Sequence, residues 1–297
     1  MEQSDWLAAR FEEHRGHLRA VAYRMLGSVT EADDAVQDAW VRVSRAGASE
    51  VENLGGWLTT IVARVCLNML RARQVMQAGS TVHVPDPIVS AESTPGPEDE
   101  ALLADSVGLA LLVVLDTLAP AERLVFVLHD MFALPFEDIA PLVGRTPTAA
   151  RQLASRARRR LQGADVQPDT DVPRQRVAVD AFFAAARNGD FDALVGLLHP
   201  EATLRIDTGA SRPGVSMELH GADAVAKQTL KGFTSILNRP AIEVRPILVN
   251  GAAGAILLQN GEPLSVIGFV VVDGKVVEMD AVADAERVRH LVPAAEH

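Results

Sequence analysis

With 297 residues, 48% of them hydrophobic, the chain is long enough for two or three domains with real cores. A single cysteine, Cys66, excludes an internal disulfide and a multi-cysteine zinc site, and apolar runs such as Leu109–Leu115 and Val266–Val272 fall far short of the ~18 residues needed to span a bilayer. The net charge of −11 opposes non-specific attachment to a polyanion, so any contact with nucleic acid has to be local or brought about by a partner.

The N-terminus is polar and acidic, without a signal-peptide pattern, so a cytoplasmic protein with no membrane association is expected. Residues 4–26 predict a helix in which Phe11, Leu18, Val21, Ala22 and Met25 share a stripe, stopped by Gly27 and Ser28. Thr30 is the expected cap of a second helix, with Asp33 as its capping-box acid. Along that helix Ala32, Val36, Ala39, Trp40 and Val43 lie on one side, while Asp34, Gln37, Asp38, Val41 and Arg45 lie on the other. A face of acids around an apolar residue suits either plain solvation or docking. After a loop over 47–56, Trp57 opens a third helix, with Leu58, Ile61, Val62, Val65 and Met69 buried by pattern. Thr60, Arg64, Asn68 and Arg71 line its opposite face. Two arginines with an amide and a hydroxyl suit DNA: charge for phosphate, polar groups for base edges.

From Gln74 to Glu100 the composition changes to Pro85, Pro87, Pro95 and Pro97 among acidic residues, and no Lys or Arg occurs from Gln74 to Glu122. That reads as an extended or partly disordered linker. Next come Ala119-Pro120-Ala121-Glu122-Arg123, an apolar helix, the segment 133–140 and the turn Gly144-Arg145-Thr146-Pro147. Thr146 is a good N-cap, and Pro147 fits the first helical position, where a missing N–H costs nothing. Past that cap Ala150, Leu153, Ala157 and Leu161 make an apolar face. Arg145, Thr146, Thr148, Arg151, Gln152, Ser155, Arg158 and Arg159 are the residues left to face outward. Two short helices, a tight turn and a basic second helix predict a helix-turn-helix, which enters the DNA major groove with the start of its second helix.

Three stretches carry a resemblance: Tyr23–Gly27, Glu31–Trp40 and Trp57–Arg64. Together they resemble region two of the extracytoplasmic-function sigma factors, and the helix-turn-helix resembles region four, so the resemblance covers residues 5–162. It implies that Asp34, Gln37, Asp38 and Val41 dock on the clamp helices of core RNA polymerase. It also implies that the Trp57 helix and the loop before it read and melt the minus-ten promoter element, and that the 147–160 helix reads the minus-thirty-five element. Pro141 departs from the pattern, and a kink or early end of the first helix of the turn motif is expected there. In that family the inter-region linker threads polymerase channels that otherwise hold nucleic acid.

The C-terminal third changes from all-helical to mixed. Helices are expected over 177–187 and 191–199, then strands at 203–207, 241–249, 253–258, 265–272 and 276–279, with a helix at 222–230 and a hairpin turn at Asp273-Gly274. The opening of this segment resembles the SnoaL-like, NTF2-like superfamily over about residues 174–292. Sigma factors with such a tail form a Sigma-J-like subgroup, in which the tail regulates in place of a dedicated anti-sigma factor. The subgroup's linker motif Trp-Leu-Pro-Glu-Pro corresponds here to His83-Val84-Pro85-Asp86-Pro87. Its Asp-Gly-Gly-Gly stretch corresponds to Asp207-Thr208-Gly209-Ala210, and its closing Asn-Pro-Asp-Lys-Leu to Ala283-Asp284-Ala285-Glu286-Arg287. A regulatory contact of the tail with Val84, Pro85, Asp86, Pro87 and Asp207 is therefore expected.

The expected fold is multidomain. All-α sigma region 2 (1–75) is followed by an acidic linker (76–105) and the region 4 helix-turn-helix (106–163). A second linker (164–173) leads to an α+β NTF2-like/SnoaL-like cone (174–297). The expected function is a sigma factor, monomeric, with promoter DNA and core polymerase as partners, a small ligand in the cone as a further candidate, and no cofactor or metal. The alternative is a SnoaL-like enzyme of the cyclase or isomerase class fused to a DNA-binding module. Its acid–base candidates would be Asp207, His199, His220, Arg205 and Asp280, which lack a tight catalytic spacing.

Overall fold

Two compact units make up the chain in the computed structural model: residues 1–78 with 111–165, and residues 79–110 with 166–297. The residues described are 2–46, 51, 53–76, 82–92, 108–161, 169–209, 212, 215–237 and 242–292. The segment expected as an extended or partly disordered linker clusters, in its described residues 82–92, with the C-terminal part.

The first unit is helical. Helix α1 (Glu2–Leu26) buries Phe11, Leu18, Val21, Ala22 and Met25, and Gly27 at φ 71° lets the chain turn. Helix α2 (Val29–Ala46) is capped by Ser28, whose Oγ accepts from Glu31 N at 3.5 Å, so Thr30 lies inside the helix rather than at its cap. Asp33 does not close a capping box. It takes a bidentate bond from Arg19 at 2.7 and 3.0 Å, tying α2 to α1. Trp40 packs on Phe11 with ring centroids 5.0 Å apart. Helix α3 (Leu54–Met76) starts three residues before Trp57 because the Asn53 side chain accepts from Gly56 N. Leu58, Val62 and Val65 are buried as the pattern requires, and so are Cys66 and Leu67. Ile61 and Met69 are only half-buried, because the buried arc of α3 is rotated toward Cys66 and Leu67. Burial pushes the Cys66 thiol up, away from thiolate chemistry.

Helix α4 (Leu109–Asp116) leads to α5 (Pro120–Phe126), a single wide π-type turn (Val127–Met131) and α6 (Phe136–Ile139). The kink expected at Pro141 takes the form of a tighter 3-10 turn over Ala140–Val143. Pro141 occupies its first turn, where its missing N–H breaks no bond. Gly144 (φ 64°) closes it, and α7 (Pro147–Leu161) follows. Thr146 caps α7, its Oγ1 accepting from Ala149 N at 3.3 Å. Ala150, Leu153, Ala154 and Ala157 form the buried side of α7.

Arg123 holds this unit together from inside. It is 1% exposed, donates from Nε to Arg24 O at 3.2 Å and from Nη1 to Asp116 at 2.8 Å. Burial lowers its pKa, and the Asp116 carboxylate opposes that drop.

The second unit is one curved sheet with helices. Helix α8 (Val172–Asn188) is capped by Asp171 and ended by Gly189 at φ 70°, and Asp190 then caps α9 (Phe191–Leu197). The strands are β1 (Val89–Ser90), β2 (Leu198–Asp207), β3 (Met217–His220), β4 (Ile242–Val249), β5 (Ala252–Gln259), β6 (Glu262–Val272) and β7 (Lys275–Val282). Helix α10 (Ala222–Leu237) precedes β4, and α11 (Ala285–Leu291) follows β7. The sheet order is β1-β4-β5-β6-β7-β2-β3, with β2–β7 parallel and the other pairs antiparallel. Asp273-Gly274 turns with positive φ at both residues, as do Asn250-Gly251 and Asn260-Gly261. Phe182, Phe183, Phe233 and Phe269 interlock in the core, the Phe269 ring 5.7 Å from both Phe182 and Phe183. The sequence pattern misses β1, β3 and α11, and the helix expected over 191–199 ends at Leu197, so His199 already belongs to β2.

Candidate polymerase, DNA and linker surfaces

On α2, Asp34, Gln37, Asp38 and Val41 are all exposed at i, i+3, i+4 and i+7, and so form one stripe opposite the buried Val36–Ala39–Val43 side. Val41 is one of few large apolar side chains left in solvent among the described residues. Asp38 accepts from Arg42 at 2.7 Å, an exposed i,i+4 pair that orients the carboxylate and contributes little stability.

On α3, Arg64, Asn68 and Arg71 are exposed, while Thr60 is half-buried with its hydroxyl donated to Trp57 O. Thr60 lines a 400 Å³ depression with Arg42, Trp57, Ile61 and Arg64.

All eight outward residues expected on the turn motif are exposed: Arg145, Thr146, Thr148, Arg151, Gln152, Ser155, Arg158 and Arg159. Several arginines of α7 are held by carboxylates from the preceding elements. Arg151 pairs with Glu137 at 2.9 Å and lies over the Phe136 ring; Arg158 pairs with Asp130 at 2.6 Å. Arg156 and Arg160 both reach the buried Glu122, at 3.2 and 3.1 Å. The basic run itself contains no acid, so these partners become visible only when α5, α6 and α7 are brought together. Glu122 fastens the far end of α7 to α5. The pairs of Arg151 and Arg158 are exposed and hold those guanidiniums in place at small energetic cost.

In the second unit the segment Val82–Glu92 is bound along its length. Val84, Pro85, Pro87 and Ile88 are buried. Val84 N donates to Asp207 Oδ2 at 3.0 Å, and His83 Nδ1 lies 3.2 Å from the same oxygen. Arg287, on α11, donates to Asp86 Oδ1, to Asp207 Oδ2 at 2.7 Å and to Val84 O at 2.6 Å. Ile88 and Asn250 exchange two bonds of 2.9 and 2.8 Å, and β1 then pairs with β4. Arg176 adds Glu92 at 2.6 Å. Burial alone would raise the Asp207 pKa. Bonds from His83, Val84 N and Gly209 N, with the Arg287 charge, outweigh it and hold the carboxyl well below the usual range. The structure brings Val84, Asp86 and Asp207 together around Arg287. Arg287, Asn250 and Arg176 were not singled out from the sequence, although Arg287 closes the segment matched to the subgroup's last motif.

Of the acid–base candidates of the tail, Asp207 belongs to this linker contact and the others sit elsewhere. Leu204, Ile206, Met279 and Ala281 line a cavity of about 490 Å³. By strand alternation Arg205 and Asp280 point to the opposite face of the sheet. There Arg205 binds Asp280, Glu278 and Glu218 at 3.1, 3.1 and 3.0 Å. Burial pushes Asp280 up to about 6, with Arg205 opposing. His220 meets Thr203 on β2, and His199 accepts from Glu201 N. No His, Asp or Glu is among the described residues lining the cavity.

Known proteins resemble this chain along most of its length. The family model for Sigma-70 region 2 matches residues 10–75, and that for Sigma-70, region 4 matches residues 108–161. A probable ECF RNA polymerase sigma factor SigI of Mycobacterium tuberculosis is 34% identical over 283 residues, covering 94% of this chain and 93% of its own length. The ECF sigma factor SigJ of the same organism is 37% identical over 251 residues, covering 83% of this chain and 80% of its own. A crystal structure of the M. tuberculosis SigJ superposes with a TM-score of 0.73 at 32% identity, covering 94% of this chain and 97% of that one.

Proposed function

This chain belongs to the extracytoplasmic-function RNA polymerase sigma factors, and from that premise we propose that its C-terminal domain regulates it by holding the inter-region linker. As a sigma factor it binds core RNA polymerase and directs promoter recognition and transcription initiation. Our reading assigns the exposed Asp34–Gln37–Asp38–Val41 stripe to polymerase. It assigns the α3 face around Arg64, Asn68 and Arg71 to the downstream promoter element, and the exposed start of α7 to the upstream one. The protein works as a monomer in the cytoplasm, where polymerase is. The tail acts as a binding module rather than an enzyme: Arg205 and Asp280 point away from the cavity, Asp207 is taken up by the linker contact, and no His, Asp or Glu is among the described residues lining the cavity.

The observation that carries the regulatory reading is the convergence of Arg287 on Asp86, Asp207 and the Val84 carbonyl. A linker bound this way is restricted to the arrangements the tail permits. The tail then acts through its different affinity for the bound and released linker.

The polymerase assignment predicts that Asp38→Arg weakens binding to core polymerase at least tenfold in a titration while the melting temperature stays within a few degrees, because Asp38 is exposed and makes only a surface pair. Unchanged affinity contradicts the docking role. The assignment on α7 predicts a split. Gln152→Ala and Arg151→Ala, in the first turns, should relax base preference upstream, each base contact being worth about 1–3 kcal/mol. Arg159→Ala should weaken all promoters alike and flatten the salt dependence. A promoter library transcribed at two salt concentrations separates the two classes, and identical changes in preference would show that α7 is oriented differently.

A further inference from the structure

The cavity of the second unit and the linker contact share a wall. Ala283 and Ala285 line the cavity, and between them Asp284 caps α11 by accepting from Glu286 N and Arg287 N at 3.0 and 3.1 Å. Ala283 N donates to Asp207 O at 2.7 Å, and the neighbouring Ile206 also lines the cavity. The segment that positions Arg287 and bonds to Asp207 is thus also part of the cavity lining.

The cavity is built to be filled. About 490 Å³ is within the usual range for small-molecule sites. Phe182, Phe183, Phe233, Leu257 and Ile267 make it mostly apolar, and Gly232, Ala281, Ala283 and Ala285 contribute no bulk to fill it. The Thr229 hydroxyl on α10 is buried at this wall without a hydrogen-bond partner, and such a group is costly unless something meets it. Ser265 differs: its hydroxyl is donated to Val282 O. Arg212 is exposed and the only charged residue among the described lining residues. With Gln228 and Ser235 as the other polar lining residues, that set disfavours cations and suits an apolar body with a polar or anionic group.

We propose that this cavity binds an apolar small molecule carrying a single carbonyl, hydroxyl or acidic group, and that its occupancy biases the Arg287 contact with the linker. Thr229 meets the polar group, Arg212 favours the anionic form, and the body lies against the phenylalanines. A ligand that fits only one position of the Ala283–Ala285 wall has different affinity for the bound and released linker, which is all that coupling requires. The coupling rests on the regulatory reading above; the binding does not.

The probe is 1-anilinonaphthalene-8-sulfonate, an aromatic body with one acidic group, titrated into the full chain by fluorescence. Saturable binding at one site per chain is expected, weakened at least tenfold by Gly232→Phe, whose ring would occupy the space, and several-fold by the near-isosteric Thr229→Val. Circular dichroism establishes that each variant is folded. Should Gly232→Phe fail to fold, Thr229→Val carries the comparison, and full affinity in that variant overturns the site. Absence of saturable binding, or equal affinity in wild type and folded Gly232→Phe, overturns it too. Saturating probe is further expected to change amide exchange at Val84 at least threefold. Binding that depends on Gly232 and Thr229 but leaves Val84 exchange unchanged overturns the coupling while keeping the site. Coupling in wild type that vanishes in Arg287→Ala, where binding persists, supports both parts.

Discussion

Arg287→Ala is expected to change transcription from a cognate promoter several-fold without unfolding the second unit. The side chain makes three charge-assisted contacts, to Asp86, Asp207 and the Val84 carbonyl. Such bonds contribute about 1.5–3 kcal/mol each, and contacts sharing one guanidinium do not add, so about 3 kcal/mol is a fair total. That is roughly a hundredfold in the ratio of bound to released linker. The core of the unit does not depend on it: the phenylalanine cluster and the seven strands are held by other contacts. Asp86→Ala removes one of the three partners and should give part of the change. Runoff transcription with purified core polymerase reads the effect. A rise means the bound linker competes with the geometry needed on polymerase, and a fall means it prepares that geometry. Equal transcription by wild type and Arg287→Ala contradicts a regulatory role for the contact.

Arg123→Ala is expected to be the most destabilising single change in the first unit. Arg123 is among the largest fully buried side chains, and its charge is met by Asp116 and the Arg24 carbonyl. Truncation leaves Asp116 without its guanidinium and opens a cavity, costs that for a buried pair reach about 3–5 kcal/mol. Asp116 keeps some solvent contact, which places the result toward the lower figure. A fall in melting temperature of roughly 10 °C follows for a unit of this size. Arg123→Lys keeps the charge but not the fork that reaches both partners, and should recover only part. A loss below about 1 kcal/mol in denaturant unfolding would mean that Asp116 and the Arg24 carbonyl are satisfied without it.

Much of the helical unit was legible because its signals are local. The stripes of α1 and α2, the Thr146 cap and the exposed arginines of α7 depend only on spacing and capping chemistry. The structure departs from those signals at the start of α2. Thr30 and Ser28 are both good caps, and the choice depends on where Gly27 turns the chain. Asp33 looked like a capping acid because its partner, Arg19, lies on another helix. The second unit was harder. Its hairpins carry Asn-Gly and Asp-Gly signals, but β3 is four residues long and β1 two, too short for alternation to show. Strand β1 exists only because β4 offers it an edge, a non-local cause that no window of sequence contains. The partners of the linker come from residues 123 to 203 positions away, at Asp207, Asn250 and Arg287. A family motif could point to Asp86 and Asp207. Only the fold shows that Arg287 joins them.

Amide hydrogen exchange at Val84 in the full chain tests the central claim most directly. Val84 lies outside any helix or strand, so its N–H is protected by the contact with the tail: it is buried there and donates to the Asp207 carboxylate at 3.0 Å. Slow exchange in wild type, accelerated at least tenfold in the double variant Arg287→Ala, Asp207→Ala, is the result expected of a linker held by the tail. Exchange at the free-peptide rate in wild type would contradict it.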